Sequence, residues 1–140
     1  MKHNLSTICK TANYFHKKGY SRSAAMILAW KLSKQTASVK VNGTSYGDRQ
    51  QVLAELAGTN PSDVRVELHR ERNNIVDENA VAVVAVSSGK TYKLGYIPAK
   101  AAALIAPLMD AGQSITAMLS RIVGGWFEGM NYGARLQLAI

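Results

Sequence analysis

The spacing of apolar residues divides the chain into a helical front segment and a longer part dominated by short strands. In the front segment, apolar side chains recur at the spacing of one helix face, which predicts two amphipathic helices. The members are Leu5, Ile8, Ala12 and Phe15 in the first helix, and Ala25, Leu28, Ala29 and Leu32 in the second. Gly19 suits a left-handed stop after the first helix, and Ser21 suits the N-cap of the second. We therefore predict a helical hairpin over residues 1–37.

From residue 38 onwards the pattern becomes alternating. SVKVNG, DVRVELHR, AVAVVAVS and YKLGYIP predict four strands. SITAMLSRIVGG and ARLQLAI are two further strand candidates, although the first can also begin as a helix. Two helices are predicted in DRQQVLAELAG (48–58) and in the segment that starts at Pro98 and stops before Gly112. Short strands with glycine turns and two inserted helices predict an α+β fold, mainly β, built as a small, partly open barrel of about six strands.

The net charge of +8 is confined to the front of the chain. Residues 1–40 hold eight Lys and Arg and no acidic residue, whereas residues 41–140 hold nine basic and nine acidic residues. Such a surface attracts polyanions by counterion release, and a solvated helical face is the alternative interpretation. A helix-turn-helix is a further alternative, although that motif normally has a third helix. The candidate basic patch comprises Lys10, Lys17, Lys18, Arg22, Lys31 and Lys34.

The residue types argue against several function classes. A single cysteine, Cys9, excludes an internal disulfide and a multi-cysteine zinc site, and favours a reducing, cytoplasmic compartment. His3, His16 and His69 lack spaced ligand partners, so we predict no metal. The apolar runs are shorter than the about 20 residues that cross a bilayer, and we predict no signal peptide. Because no phosphate loop or nucleophile elbow is present, we predict a binding protein without cofactor or catalytic activity.

Four separated blocks follow one another in a fixed order: VNGTSY, RERNNIVDENAVAV, LGYIPAKAAALIAPLMDAG and YGARLQL. Together they resemble the HIRAN domain over residues 38–140. The resemblance implies an OB-like barrel with two helices that binds nucleic acid, and in the best understood members the 3′-hydroxyl end of single-stranded DNA. It also implies a free-standing bacterial or phage-type protein. GYSRSAAMILAWKLSK is similar to stretches at the front of many phage and mobile-element proteins.

The same resemblance implies roles for individual residues. Tyr46 matches an aromatic residue that packs against the terminal base, and Asp77 matches an aspartate that accepts a hydrogen bond from the 3′-hydroxyl. Arg72 and Lys100 are our own additions as phosphate contacts, because they flank the matching blocks. The complete candidate set for nucleic-acid binding is Tyr46, Arg72, Asn74, Asp77, Tyr96, Lys100 and Tyr132.

The chain departs from the family pattern at two places. Ser45 stands where end-binding members have a basic residue. Ile75 and Val76 replace a Pro-Tyr pair, which removes a stacking ring worth about 1 to 3 kcal/mol per base. Asp77 can alternatively shape a turn through its own backbone, and the tyrosines can be solvated residues on the barrel rim.

Two other functions stay open. One is a protein-interaction or inhibitor module of a phage or mobile element that has lost DNA-end binding. The other is a DNA-binding regulator that acts through the N-terminal hairpin.

Overall fold

A computed structural model describes residues 5–127 and 129–139 of the chain, so that His3 lies outside the described residues. Within them, a six-stranded sheet is combined with four α-helices and a short 3-10 turn, Pro61–Asp63. The helices are α1 (Leu5–Lys17), α2 (Arg22–Thr36), α3 (Arg49–Ala57) and α4 (Ala99–Asp110). The strands are β1 (Val39–Lys40), β2 (Arg65–Arg70), β3 (Val81–Ser87), β4 (Lys90–Tyr96), β5 (Thr116–Gly124) and β6 (Tyr132–Ala139).

The sheet has the strand order β1-β6-β5-β2-β3-β4, and all its neighbours are antiparallel. It curls until its two edges meet just beyond β1, where Asn42 and Tyr96 exchange backbone hydrogen bonds. The two N–O distances are 2.8 and 2.9 Å. The predicted α+β fold with a small, partly open barrel is therefore confirmed.

The turns follow the sequence signals closely. Ser88 and Gly89 connect β3 to β4 and both have positive φ, 52° and 75°, as a two-residue hairpin turn of the primed type requires. The segment for which a helical start was an alternative is extended throughout β5, with a register shift between Leu119 and Arg121. Pro98 occupies the N-cap of α4, one residue earlier than the first helical position predicted for it.

The helical hairpin shares one hydrophobic core with the barrel. Ile8 and Phe15 of α1 and Leu32 of α2 belong to the same buried cluster as Leu94 and Leu136 of the sheet. The Ser21 hydroxyl accepts a hydrogen bond from the Ala24 amide, which confirms the predicted cap of α2. Leu5, the first member of the predicted apolar stripe, is 63% exposed because α1 contacts the core only from Ile8 onwards.

α4 also packs against α2, so that a third helix lies against the hairpin. This helix comes from later in the chain, whereas the sequence pattern predicts no helix directly after the hairpin. No helix among residues 5–127 and 129–139 is long and apolar enough to cross a membrane.

Candidate nucleic-acid interface

The first wall of the site is the loop between β1 and α3, which brings Tyr46 and Arg49 together. Gly43 adopts a positive φ of 76°, and its carbonyl oxygen accepts a 2.7 Å hydrogen bond from Nη1 of Arg49. This bond holds the Arg49 guanidinium carbon 5.8 Å from the Tyr46 ring centroid and 6.0 Å from the Tyr96 ring centroid. Both distances are within cation–π range. One cation therefore links the aromatic residue of the loop to the aromatic residue of β4.

Gln50 attaches this loop to the barrel. Its side-chain amide nitrogen donates to the carbonyl oxygens of Thr44 and Tyr132, each at 2.9 Å, and its Oε1 accepts from the Tyr132 amide at 2.7 Å. These three bonds use both ends of one side-chain amide. The loop that carries Tyr46 is therefore fixed to the start of β6.

The second wall is β4, where a bulge places Lys93 beside Tyr96. Lys93 pairs with Val84 and Gly95 pairs with Val83, so Leu94 is an additional residue in the ladder. In a regular strand, residues three apart point to opposite faces, whereas one extra residue brings them to the same face. The Lys93 ammonium donates to the Tyr96 hydroxyl at 2.6 Å and lies 4.4 Å from the ring centroid.

The loop between β2 and β3, residues 71–80, is bonded to β4 beside these two walls. Glu71 accepts from Lys93 and from the Tyr96 hydroxyl, each at 2.9 Å, and from the Asn74 side chain at 3.2 Å. Asn74 in turn accepts from the backbone amides of Val76 and Asp77. The loop is thus anchored to β4 by a carboxylate and shaped internally by an asparagine.

Asp77 lies in this loop and is half-buried. Its Oδ1 accepts a 2.9 Å hydrogen bond from the Asn79 amide. The described residues provide no hydrogen bond or ion pair to its Oδ2. The carboxylate therefore shapes the turn with one oxygen and leaves the other available to a ligand.

The hydrogen bonds that join Glu71, Lys93, Tyr96 and Asn74, which we call the Glu71 network, determine which of these groups are charged. Hydrogen bonding to Lys93 is the largest cause that lowers the pKa of the Glu71 carboxyl below its ordinary value of 4.5, with further contributions from Tyr96 and Asn74. The hydrogen bond to Tyr96 and that to Glu71 raise the pKa of Lys93 above 10.5. Both groups are therefore charged at neutral pH.

Replacing Glu71 by glutamine is expected to lower the free energy of unfolding by about 1 kcal/mol at neutral pH, after discounting for partial exposure. Because the folded pKa of Glu71 is depressed, its contribution is present above 4.5 and is lost as the pH falls through the folded value. Urea denaturation of both proteins should therefore show a difference that shrinks on acidification below about pH 4. Glu55→Gln, at an exposed position of α3, is the matched control. If the free energy of unfolding of Glu71→Gln stayed below that of the parent by the same amount in acid, the proposed Glu71 network would be contradicted.

A cleft of about 310 Å³ opens between the loop that carries Tyr46 and strand β4. Its lining includes Tyr46, Asp48, Arg49 and Lys93, and of the seven predicted site residues it contains Tyr46 alone. Tyr46 is 68% exposed, which leaves ring surface available to stack on a base. The Arg49 guanidinium is suited to a phosphate oxygen, whereas Lys93 is ion-paired with Glu71. The arrangement can hold a flexible strand through stacking and charge, without base-specific hydrogen bonds.

The structure joins four of the seven predicted site residues in one chain of contacts. Asp77 contacts Asn74, which bonds to Glu71, which bonds to Tyr96; Tyr96 and Tyr46 share Arg49. Their proximity was predicted only through the family resemblance.

The other three predicted residues lie outside this chain of contacts. Arg72 binds Asp110 at 2.9 Å, together with Arg70, and Arg70 is the first cause of the lowered pKa of Asp110. Lys100 is exposed in the first turn of α4 and forms no hydrogen bond with the described residues. Tyr132 is half-buried, and its ring packs directly against Gly125. Their assignment to the site stays a prediction.

Arg49, Lys93 and Glu71 are site residues that were not predicted from the sequence. Arg49 follows Tyr46 by three residues and Glu71 is the second residue of the RERNNIVDENAVAV block, so both lie close to residues that were named. The glycine after Leu94 was the available signal for Lys93, because a glycine inside a strand often marks a bulge.

The cations of the predicted basic patch are on the helical hairpin, away from the cleft lining. All six of them, Lys10, Lys17, Lys18, Arg22, Lys31 and Lys34, are exposed. Among the described residues none of them forms an ion pair with a carboxylate.

Two of the three histidines have local partners. The Nδ1 atom of His16 lies 2.9 Å from the Tyr20 carbonyl oxygen, and the Nε2 atom of His69 lies 3.1 Å from Glu67. Over residues 5–127 and 129–139, no three His, Cys, Asp or Glu side chains are grouped as metal ligands.

A curled, six-stranded OB-like half-barrel with an aromatic and cationic cleft is typical of nucleic-acid-binding modules. The family model of the HIRAN domain matches residues 34–124, and the chain belongs to this family. HIRAN domains are in general DNA-binding modules that are not catalytic by themselves. The match starts near the end of α2 and stops at the end of β5, so that α1, most of α2 and β6 lie outside it.

A crystal structure of a protein from Lactobacillus plantarum, determined as a structural genomics target, is similar to this chain. The two are 28% identical with a TM-score of 0.50, and the similarity covers 74% of this chain and 93% of the other. No curated protein shows significant similarity to the chain.

Proposed function

We propose that this protein binds single-stranded DNA and that the cleft beside Tyr46 receives the 3′ end of the strand. The observation that carries the proposal is the Arg49 guanidinium in cation–π range of both Tyr46 and Tyr96. A terminal base stacks on the exposed Tyr46 side chain while the Arg49 guanidinium, which forms no ion pair with a described carboxylate, neutralises an adjoining phosphate. The protein acts by binding alone, with no reaction of its own.

Asp77 supplies end specificity in this proposal. A terminal 3′-hydroxyl carries a proton that an internal nucleotide lacks, and a carboxylate oxygen accepts it. Oδ1 already accepts from the Asn79 amide, so Oδ2 is the acceptor. A 3′-phosphate in the same position is repelled by the carboxylate, which makes the free 3′-hydroxyl the preferred end.

Asp77→Asn separates these two roles, because the asparagine Oδ1 can still accept from the Asn79 amide while the charge is removed. We expect the parent protein to prefer 3′-hydroxyl over 3′-phosphate oligonucleotides, and the preference to fall about tenfold in Asp77→Asn, since hydrogen bonds to charged groups contribute about 1.5 to 3 kcal/mol. Fluorescence polarisation with both oligonucleotides measures this. An unchanged preference in Asp77→Asn, with the fold intact, would restrict Asp77 to shaping the turn.

A protein-interaction module is the second candidate function, and one observation favours it. Ile75 and Val76, which replace the family's Pro-Tyr pair, are 100% and 91% exposed at the tip of the loop. Two adjacent aliphatic side chains without cover are typical of a binding surface rather than of a solvated turn. Absence of DNA binding even at low salt, with tight partner binding lost on Ile75→Ser/Val76→Ser, would establish this function instead.

A further inference from the structure

Three cations lie side by side on the outer face of the barrel, on three neighbouring strands. Lys40 of β1 is directly opposite Arg135 of β6, and Arg135 is directly opposite Arg121 of β5. Residues directly opposite each other in a ladder point to the same face. We refer to Lys40, Arg135 and Arg121 as the outer row.

Burial of the flanking residues shows which face this is. Val39 and Val41, on either side of Lys40, are in the core, as are Ala134 and Leu136 on either side of Arg135. Alternation along a strand then directs Lys40 and Arg135 away from the core. The outer row is therefore on the solvent side, outside the cleft lining that contains Tyr46.

The charge of the outer row is uncompensated within the described residues. Like charges directly opposite on neighbouring strands destabilise a sheet. No described carboxylate forms an ion pair with any of the three cations. The Arg135 guanidinium donates to the Ser38 hydroxyl, at 3.5 Å, which directs it towards the junction between α2 and β1. A row of cations that costs stability in the free protein fits a polyanionic partner.

We propose that the outer row binds the sugar–phosphate backbone of duplex DNA, as a site separate from the cleft. Three neighbouring strands place the cations across about 10 Å, a length over which one duplex strand rises by about three phosphate-to-phosphate steps of about 3.4 Å each. The pairs that flank the row on β5 and β6 are Met118 with Gln137 and Val123 with Gly133, none of them aromatic, and the exposed Trp126 and Phe127 lie further along, in the connection between the two strands. Contact is therefore with phosphates and is independent of sequence.

The hairpin extends this surface. Lys34 is in the last turn of α2, and the chain passes from there through Ser38, the partner of Arg135, into β1. Lys31 lies one helical turn before Lys34, and both are exposed. We therefore include Lys31 and Lys34 with the outer row in one proposed basic track.

A covalently closed duplex without free ends tests the proposal, because it offers no 3′ terminus to the cleft. Arg121→Ala and Arg135→Ala are each expected to weaken binding about tenfold at about 50 mM salt and to reduce the salt slope of log K by about one. Lys90→Ala, which removes one exposed cation at the β3–β4 turn, should bind like the parent. Arg121 is exposed, so its variant tests the row even where Arg135→Ala affects folding.

Tyr46→Ala should leave binding of the closed duplex unchanged, because Tyr46 belongs to the cleft and not to the outer row. An error in the proposed cleft and an error in the proposed outer row therefore give different experimental results. Duplex binding by the Arg121→Ala variant equal to that of the parent would overturn the proposal. So would a parent protein that does not bind the closed duplex at low salt. Row-dependent binding to phosphatidylserine vesicles in place of the duplex would assign the track to a membrane surface and would also overturn it.

Discussion

Tyr46→Ala is expected to weaken binding of single-stranded DNA by about 5- to 150-fold, which corresponds to about 1 to 3 kcal/mol for one stacked base. Tyr46 is 68% exposed and its ring lies beside the Arg49 guanidinium, so removal of the ring should leave the fold intact. Polarisation titrations with a short labelled oligonucleotide measure the affinity, and thermal denaturation verifies the fold.

Tyr46→Phe is the matched control, because it keeps the ring and removes only the hydroxyl. It should bind close to the parent level if stacking is the source of affinity. Equal binding by Tyr46→Ala and the parent would show that the ring is not a stacking platform, and the base would have to lie elsewhere.

Gly95→Ala is expected to destabilise the protein by about 2 to 5 kcal/mol, from backbone strain and steric overlap together. Gly95 has a φ of 156°, and an added Cβ would overlap the carbonyl oxygen of Asn42 and lie 2.8 Å from Cγ1 of Val41. Both are backbone or buried atoms with little freedom to move. The melting temperature should fall by about 10 °C or more, and DNA binding should fall with it because Tyr96 is the next residue.

Gly89→Ala is the control that separates the cost of steric overlap from the cost of a left-handed backbone. Gly89 has a φ of 75° but nothing within 4 Å of an added Cβ, so the substitution should cost only about 1 kcal/mol from the left-handed backbone. If Gly95→Ala were as mild as Gly89→Ala, Asn42 and Tyr96 would not be joined, and the closure of the barrel would be wrong.

Two kinds of apolar pattern predicted strands: β2 alternates, as a half-buried strand does, whereas the first five residues of β3 are all buried and its continuous apolar run was the signal. Strand order and edge closure were not predictable in this way. They depend on contacts between residues far apart in sequence, such as the pairing of Asn42 with Tyr96. The apolar periodicity suggested a small barrel, and the family resemblance implied an OB-like barrel.

The candidate site shows the same division. Tyr46, Asn74, Asp77 and Tyr96 were named from motif blocks, and the structure connects them. Lys93 was missed because its position beside Tyr96 depends on the bulge at Leu94, which strict alternation does not contain. Arg72 was placed by sequence proximity alone, and the ion pair with Asp110 competes for its guanidinium.

The shared core also changes how the basic hairpin is best tested. Ile8, Phe15 and Leu32 are buried in the same cluster as the barrel core, so deletion of residues 1–37 would expose apolar surface as well as remove charge. Single charge-removing substitutions at exposed positions such as Lys31 and Lys34 keep the core and isolate the electrostatic contribution.

Photo-crosslinking from the 3′-terminal nucleotide tests the central claim most directly. A single-stranded oligonucleotide with 4-thiothymidine at its 3′ end is irradiated in complex with the full chain, and the attached peptide is identified by mass spectrometry. The proposed binding mode predicts attachment within residues 46–49 or 93–96, beside the cleft. Attachment confined to residues 5–36, on the helical hairpin, would contradict it.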